Sequence, residues 1–137
     1  MRIINLEHHS DLPIGSVRPV FEDFVKFGEA HPLITRVEKI NDSEAVFFES
    51  VRILGIVPHK FSYRAKLEKN DGGDHFVMKA EPKPGVFLEL EFDLRPNGEG
   101  TRINERISIG ASSLTAWFLG RAVVKSHREL VENIGKS

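Results

Sequence analysis

The 137-residue sequence contains no cysteine. This absence excludes disulfide bonds, zinc sites with thiolate ligands and cysteine nucleophiles. It leaves the cytoplasm as the expected compartment, because disulfide frameworks mark secreted proteins. The sequence also lacks an apolar run of roughly 18 residues, so it predicts no integral membrane segment. Residues 1–12 contain Arg2, Glu7 and Asp11 and no apolar stretch, and we therefore expect no signal peptide.

An excess of one charge is missing as well. The 19 Lys and Arg residues nearly balance the 20 Asp and Glu residues, and the formal net charge is -1. Proteins that bind nucleic acid through phosphate contacts need a basic surface, so we expect no nucleic-acid partner. The contents of 40% hydrophobic and 28% charged residues are typical of a globular chain. At this length, residues 1–137 are expected to form a single domain.

Motifs that carry familiar chemistry are also absent. The sequence has no HExxH pair for a metal, no GxSxG nucleophile elbow and no glycine-rich phosphate loop. His8, His9, His31 and His75 stand in strand or turn contexts without the spacing of metal ligands. We therefore expect neither a metal nor a cofactor.

What the sequence does contain, first, is a helical pattern after Pro13. Ser16 is the predicted N-cap and Gly28 the predicted C-terminal stop. A second short helix or a turn is expected over residues 29–31, ended by Pro32. The apolar face of the first helix is formed by Val17, Val20, Phe21, Phe24 and Phe27.

Alternation of apolar and polar residues then predicts β-strands. The first ten residues read as an extended segment, and short connections between the later runs indicate antiparallel hairpins. The later runs are 35–40, 44–54, 59–69, 75–81, 86–95 and 101–110. For the run 44–54 both parities remain open. One parity places Phe47, Glu49, Val51 and Ile53 inside, and the other places Val46, Phe48, Ser50 and Arg52 inside.

Helical spacing returns over residues 113–135, with a basic face opposite an apolar stripe. The stripe is formed by Ala116, Leu119, Gly120, Val123, His127, Leu130, Val131 and Ile134. The predicted fold class is α+β, with a seven-stranded curved antiparallel sheet wrapped around this long C-terminal helix and one or two short helices after the first strand. Because a twisted sheet and a straight helix differ in shape, we expect a gap between them.

Three short stretches, LPIGSV at 12–17, FEDF at 21–24 and HPLI at 31–34, follow a known pattern. Together with the order of elements, they resemble the START-like superfamily, also called SRPBCC or Bet v 1-like, which includes polyketide cyclase/dehydrase-like proteins. Many members carry tryptophan where this chain has Phe21 and His31. The resemblance implies the helix-grip fold and an internal cavity for a hydrophobic small molecule. It implies no catalytic set, because members share a fold and not a chemistry.

Polar residues on apolar faces are the candidate functional residues. Glu105 shares a strand face with isoleucines, His127 lies in the middle of the terminal stripe, and Tyr63 faces the same space. A buried carboxylate has to pair, take up a proton or reach water. Glu105 and His127 are therefore either a ligand anchor or acid/base pair, or a structural pair without further role. Tyr63 alone is most simply a core tyrosine with a bonded hydroxyl.

The residues expected to line the cavity are Phe61, Tyr63, Phe76, Met78, Leu90, Phe92, Glu105, Ile107, Leu119, Val123 and His127. Two alternatives are open for Leu114, Trp117 and Phe118. They pack against the first helix or the 54–57 loop, or they form the cavity rim or an exposed apolar patch that meets a partner. In the rim interpretation, Ile56 and His59 share the rim with Trp117 and Phe118.

These observations give three functional hypotheses. The first is binding of a hydrophobic small molecule, lipid-like or polyketide-like, between the sheet and the C-terminal helix. The second is a polyketide cyclase or dehydratase-like enzyme in which Glu105, His127 and Tyr63 act as acid, base and oxyanion partner. The third is a protein-interaction module that resembles chaperone-activating members of the superfamily. A homodimer is left open.

Overall fold

A computed structural model describes residues 1–53, 57–70 and 72–134. Within these ranges, seven strands and three helices follow one another. They are β1 (Arg2–Ser10), α1 (Ile14–Glu22), α2 (Phe24–Ala30), β2 (Ile34–Asn41), β3 (Glu44–Ile53), β4 (Val57–Lys69), β5 (His75–Lys83), β6 (Val86–Asn97), β7 (Gly100–Gly110) and α3 (Ser113–Ile134). None of these helices is both long and apolar enough to cross a membrane.

The strands form one curved antiparallel sheet with the order β1-β7-β6-β5-β4-β3-β2. Strands β2 to β7 are joined as successive hairpins, as their short connections predict, whereas β1 pairs with the last strand. His8 and Glu105, which are 97 positions apart in the sequence, thereby come to lie on neighbouring strands. The first and last strands of the chain thus lie side by side at one edge of the sheet.

Alternation of burial is confirmed in the strands other than β2, which is exposed along most of its length, and it decides the parity of β3. Ala45, Phe47 and Glu49 are buried, whereas the residues between them are only half-buried. This parity places one carboxyl group, that of Glu49, on the apolar face of the sheet. The side chains of Arg52 and Ile53 lie outside what the structure describes.

The first helical segment differs from its prediction. The helix begins at Ile14, because the Ser16 N–H already donates to the Pro13 carbonyl at 2.9 Å, so Ser16 is not its N-cap. Asp23 then divides the segment into two helices. Its backbone is extended, and its carboxylate accepts a hydrogen bond from the Val25 N–H at 2.8 Å. A side chain that caps the next helix therefore ends the continuous helix predicted through Phe27.

Gly28 lies inside α2 instead of ending a helix, and α2 continues to Ala30. A Cβ atom added at Gly28 would lie 2.4 Å from Cγ2 of Val37 on β2. The missing side chain is therefore what lets α2 pack closely against β2. A glycine is typical of helix ends, but Gly28 is required here by packing against β2.

Replacing Gly28 by alanine is expected to lower the free energy of unfolding by about 1–3 kcal/mol, because the rigid Val37 side chain or the backbone has to shift. The matched control is Gly15→Ala in α1, where an added Cβ meets nothing within 4 Å. There the higher helix propensity of alanine is expected to add about 0.5–1 kcal/mol of stability. Urea unfolding measures both variants, and a stabilising Gly28→Ala would contradict the close approach.

The long terminal helix, α3, is confirmed. Of the predicted stripe, all but the half-buried Leu119 are buried, and Ser126 is buried with them. The predicted final position, residue 135, lies outside the described residues. α3 packs against β1, β7 and α2. In the sheet order, β3, β4 and β5 are further from β1 than β7 is, so their inner faces lie away from the strands on which α3 packs.

Phenylalanines from the two short helices fill the interior beneath α1 and α2. The Phe21 ring lies 4.7 Å from that of Phe92 and 6.0 Å from that of Phe76. Phe27 stacks on Phe47 at 6.0 Å. These aromatic contacts join the two short helices to β3, β5 and β6.

Candidate functional site

An internal cavity of about 60 Å³ separates α3 from the inner face of the sheet. It has room for a few water molecules, whereas sites for drug-sized ligands enclose roughly 300–1000 Å³. The apolar lining residues are Phe27, Leu33, Phe47, Val51, Phe61, Met78, Ala80, Pro82, Leu88, Leu90, Leu119, Ala122 and Val123, and the polar ones are His31, Glu49, Tyr63, Ser126 and His127. The gap predicted between the sheet and the helix is present, and it is small.

Most of the predicted lining residues surround this cavity. They are Phe61, Tyr63, Met78, Leu90, Leu119, Val123 and His127. Phe76, Phe92 and Ile107 are fully buried beside it. Phe76 and Phe92 share the inward face of the sheet with the lining residues, but the ring of Phe21 packs on both of them. Glu105 contacts His127 without lining the cavity itself.

Glu105 is buried between two histidines from different parts of the fold. Its Oε1 lies 2.9 Å from Nε2 of His8 on β1, and its Oε2 contacts Nδ1 of His127 on α3. Burial acts to raise the pKa of the Glu105 carboxyl. The charge and hydrogen bond of His127, together with those of His8, outweigh burial and hold this pKa below its ordinary value. The carboxyl is therefore ionised at neutral pH.

The ionised carboxylate decides where the histidine protons lie. A carboxylate only accepts hydrogen bonds, so Nε2 of His8 and Nδ1 of His127 must each carry a proton. Across the described part of the chain, Nε2 of His127 has no hydrogen-bond partner, and His127 lines the cavity. When its ring is neutral, His127 keeps Nε2 as an acceptor for water or a ligand, and when its ring is protonated, Nε2 donates instead.

Glu49 and Tyr63 form a second polar pair in the cavity wall. The Tyr63 hydroxyl donates a hydrogen bond to Oε2 of Glu49. Burial raises the pKa of the Glu49 carboxyl, against the opposing effects of the Tyr63 hydrogen bond and the charge of His127. Burial and the neighbouring Glu49 raise the pKa of Tyr63. Tyr63 thus remains a neutral phenol, one of whose lone pairs is open to a ligand.

His31 stands between α2 and β2, and its ring meets that of His127 edge-to-face at 5.4 Å. Its Nδ1 accepts a hydrogen bond from the Leu33 N–H at 3.2 Å. Burial and the charge of His127 lower the pKa of His31 to about 3, although the charge of Glu105 acts in the opposite direction. The ring is therefore neutral at physiological pH, with Nδ1 as acceptor and Nε2 as donor.

Together these groups offer hydrogen bonds to one end of an otherwise apolar space. His31 can donate, Tyr63 can accept, and His127 can accept from a ligand hydroxyl. No group of three or more His, Asp or Glu side chains in the described ranges has the arrangement of a metal site. The arrangement is that of a small apolar cavity with a few polar groups.

His8, His31 and Glu49 are members of the site that the sequence analysis did not single out. His8 carried a usable signal, since it has the same parity on β1 as Ile4 and Leu6, which pack against the core. Glu49 belonged to one of two parities that the sequence left open. His31 carried no signal, because its position depends on where α2 ends relative to α3.

The residues predicted for the rim are spread apart. The His59 ring lies 5.6 Å from that of Phe61, which is part of the cavity wall. Trp117 and Phe118, in contrast, are exposed by 42% and 60% and do not line the cavity. With Leu114, exposed by 68%, they form an apolar patch instead of packing against the first helix. Ile56 lies outside the described residues.

Solved structures share this arrangement of sheet and helices. A conserved protein from Geobacillus kaustophilus matches with a TM-score of 0.80 and 18% identity, over 98% of this chain and 93% of that one. The chain has the helix-grip fold. A START superfamily protein from Mycobacterium smegmatis matches with a TM-score of 0.74 and 12% identity, over 98% and 97% of the two chains. The di-domain ARO/CYC StfQ from the steffimycin biosynthetic pathway matches with a TM-score of 0.71 and 14% identity, over 96% of this chain and 49% of its own.

Identities this low establish the helix-grip fold and not the ligand. No protein-family model and no curated protein matches the sequence.

Proposed function

We propose that the chain binds a hydrophobic small molecule in the cavity between α3 and the sheet. The observation that carries this proposal is the make-up of the cavity wall. Side chains from α2, α3 and four strands form an apolar enclosure, which is interrupted by the Glu49–Tyr63 pair, His31 and His127. Apolar walls with a few converging polar groups are typical of small-molecule sites.

The polar groups specify what the ligand must carry. A hydroxyl on the ligand can donate to Nε2 of His127 or to the Tyr63 oxygen, and a carbonyl can accept from Nε2 of His31. The remainder of the ligand contacts carbon atoms only. A lipid-like or polyketide-like molecule with one oxygen function at its inner end meets these requirements, and the fold shared with a START superfamily protein and an ARO/CYC protein supports that class.

The size of the cavity sets a condition on this proposal. A volume of about 60 Å³ is too small for a whole lipid or polyketide. Such a ligand enters only if α3 or the side chains of the wall move outward, a change that many binding proteins undergo. A shorter ligand fits with less movement, so affinity is expected to depend on ligand length.

Ligand-induced stabilisation is expected to disappear when the cavity is filled. A ligand at about 100 times its Kd adds about 2.7 kcal/mol to the free energy of unfolding, and the melting temperature rises accordingly. Ala122→Leu places three further carbon atoms in the cavity from α3, and we expect this variant to show no such rise. Thermal unfolding with fatty acids of increasing length, naphthol and emodin measures the effect.

The control variant is Thr115→Leu, which adds an apolar side chain at an exposed position of the same helix. It is expected to respond to each ligand as the unchanged protein does. If no ligand in the panel raises the melting temperature of the unchanged protein, or if Ala122→Leu responds equally, the cavity is not the binding site.

A second candidate, a cyclase or dehydratase-like enzyme, is favoured by one observation. Glu105 fixes the proton of His127 on Nδ1 and leaves Nε2 as a base beside the cavity. The roles differ from those expected from the sequence, since Glu105 is an ionised positioning group and Glu49 with Tyr63 would supply the acid. Mass spectrometry of the bound molecule separates the two candidates, because a binding protein returns its ligand unchanged and an enzyme releases a product of lower mass or new ring structure.

A further inference from the structure

One face of α3 points away from the cavity and carries two kinds of exposed side chain. At 100° per residue, its members fall within an arc of about 100° that runs for about 21 Å. We define the outer face of α3 as Leu114, Trp117, Phe118, Arg121, Lys125 and Arg128, all of which are exposed. The first three are apolar and the last three are basic, so the face changes from apolar to cationic along the helix.

The apolar part is formed by three large exposed side chains, two of which are rings in contact with each other. Leu114 is exposed by 68% and Phe118 by 60%. The rings of Trp117 and Phe118 meet edge-to-face at 4.9 Å, and the Arg121 guanidinium lies 5.0 Å from the centre of the Trp117 ring. The first basic residue therefore adjoins the aromatic part directly.

The basic part is reinforced from β1. Arg2 lines a shallow surface groove together with Arg121, Lys125 and Arg128, and no acidic residue is among the described residues that line it. A Cβ on Gly120 would lie 3.0 Å from Cδ1 of Ile4 and 3.3 Å from Nε of Arg2. The glycine thus allows α3 to approach β1 closely enough to bring the fourth cation beside the other three.

These four cations lack ion-pair partners among the described residues, whereas Arg18 and Arg95 elsewhere on the surface pair with aspartates. Glu132 is exposed on the same arc of α3 and lies one turn after Arg128, at the end of the helix away from the aromatic rings. In a chain whose formal net charge is -1, four adjacent unpaired cations form a local positive surface.

We propose that the outer face of α3 docks on the surface of an anionic lipid bilayer. Tryptophan and phenylalanine rings partition into the headgroup region, and Lys and Arg side chains beside them pair with lipid phosphates. The apolar end of the outer face can enter the headgroup region, and its basic end can pair with the lipid phosphates beside it.

Docking would place α3 between the bilayer and the cavity. Leu119 and Val123 line the cavity from the side of α3 opposite its outer face. The proposal holds whether or not the cavity binds a ligand, because it rests on surface residues that do not line the cavity. Ligand-induced stabilisation without vesicles tests the cavity, and vesicle binding tests the outer face.

Co-sedimentation with vesicles tests the proposal directly. The protein is expected to bind vesicles of phosphatidylcholine mixed with phosphatidylglycerol and to leave vesicles of pure phosphatidylcholine unbound, and added salt is expected to weaken binding. Trp117 is the single tryptophan of the chain, so a blue shift of its emission reports on burial of this face alone. Equal binding to both kinds of vesicle, or none to either, would overturn the proposal.

Two variants with matched controls separate the basic and apolar contributions. Replacing Arg121, Lys125 and Arg128 by glutamine is expected to weaken binding about 100-fold, at about fivefold for each cation near the membrane. The control replaces three exposed lysines of β4, Lys60, Lys66 and Lys69, by glutamine and changes the net charge equally. Phe118→Ala is expected to weaken binding about tenfold. Its control is Phe87→Ala on β6, where the ring is exposed by 57%.

Because all substituted side chains are exposed, the melting temperatures of the variants are expected to stay close to that of the unchanged protein. If the β4 variant loses as much binding as the α3 variant, net charge and not this face determines binding. If the protein proves to be a dimer in sedimentation equilibrium and Phe118→Ala makes it monomeric, the face is a self-association surface and the proposal is wrong.

Discussion

Glu105→Ala is expected to lower the free energy of unfolding by about 3–5 kcal/mol, because it leaves two buried histidines without their shared acceptor. Glu105 joins β7 to β1 through His8 and to α3 through His127. Alanine removes both connections at once. β1 and α3 are far apart in the sequence, so the substitution weakens long-range contacts that hold the first strand and the last helix to the sheet.

A second glutamate–histidine pair supplies the control for this prediction. Glu91 on β6 lies 3.1 Å from Nε2 of His75, and both side chains are more than a third exposed. Glu91→Ala is expected to cost less than about 1 kcal/mol, as solvent-exposed pairs usually do. Urea unfolding at neutral pH measures both variants. Similar losses for the two would show that burial adds nothing to the Glu105 cluster.

Between about pH 7.5 and about pH 5 the protein is expected to lose about 2 kcal/mol of stability through His31 alone. Its pKa is lowered from 6.5 to about 3 in the folded protein. As the pH falls below 6.5, the unfolded chain takes up a proton at this position and the folded protein does not. The stability contributed by the neutral ring is therefore present above pH 6.5 and is lost as the pH falls, at about 1.4 kcal/mol per unit.

His31→Asn isolates this effect, since the asparagine side-chain oxygen can accept the Leu33 N–H in place of Nδ1. We expect the variant to lose about 2 kcal/mol less than the unchanged protein over the same pH interval. His9→Asn, at an exposed histidine, is the control and is expected to leave the pH dependence unchanged.

Two other buried groups with shifted pKa values, Glu105 and Glu49, do not give the same pH dependence of stability as His31. The stability contributed by the lowered pKa of Glu105 is fully present above the ordinary carboxyl pKa and is lost only as the pH falls below that value. The raised pKa of Glu49 acts in the opposite direction, because protonation favours the folded state as the pH falls. An unchanged pH dependence in His31→Asn would show that the ring is not neutral in the folded protein.

The strands and α3 could be predicted from the sequence because each carries its signal within its own residues. Glu105 alternates with isoleucines, and His127 falls in the stripe that covers the sheet. Both side chains point into the same interior. Their contact could therefore be predicted once the fold had been predicted. The same reasoning placed Tyr63 in the cavity wall.

Other features depend on distant parts of the chain, and no local pattern reveals them. Gly28 looks like a helix end, but it is small because β2 passes beside it. His31 joins the site because α2 ends under α3. The volume of the cavity is the least predictable quantity, since it is the small difference between the curvature of the sheet and the side chains that fill it.

An apolar ligand is expected to enter the space between α3 and the sheet. The chain has two methionines, of which Met78 lines the cavity and is 4% exposed, and Met1 is 89% exposed. Carbon-13 methyl NMR of methionine therefore gives one signal inside the proposed site and one outside it. Titration with the ligand that most raises the melting temperature is predicted to shift or split the Met78 signal and to leave that of Met1 in place. A Met78 signal that stays unchanged at saturating ligand would contradict the account.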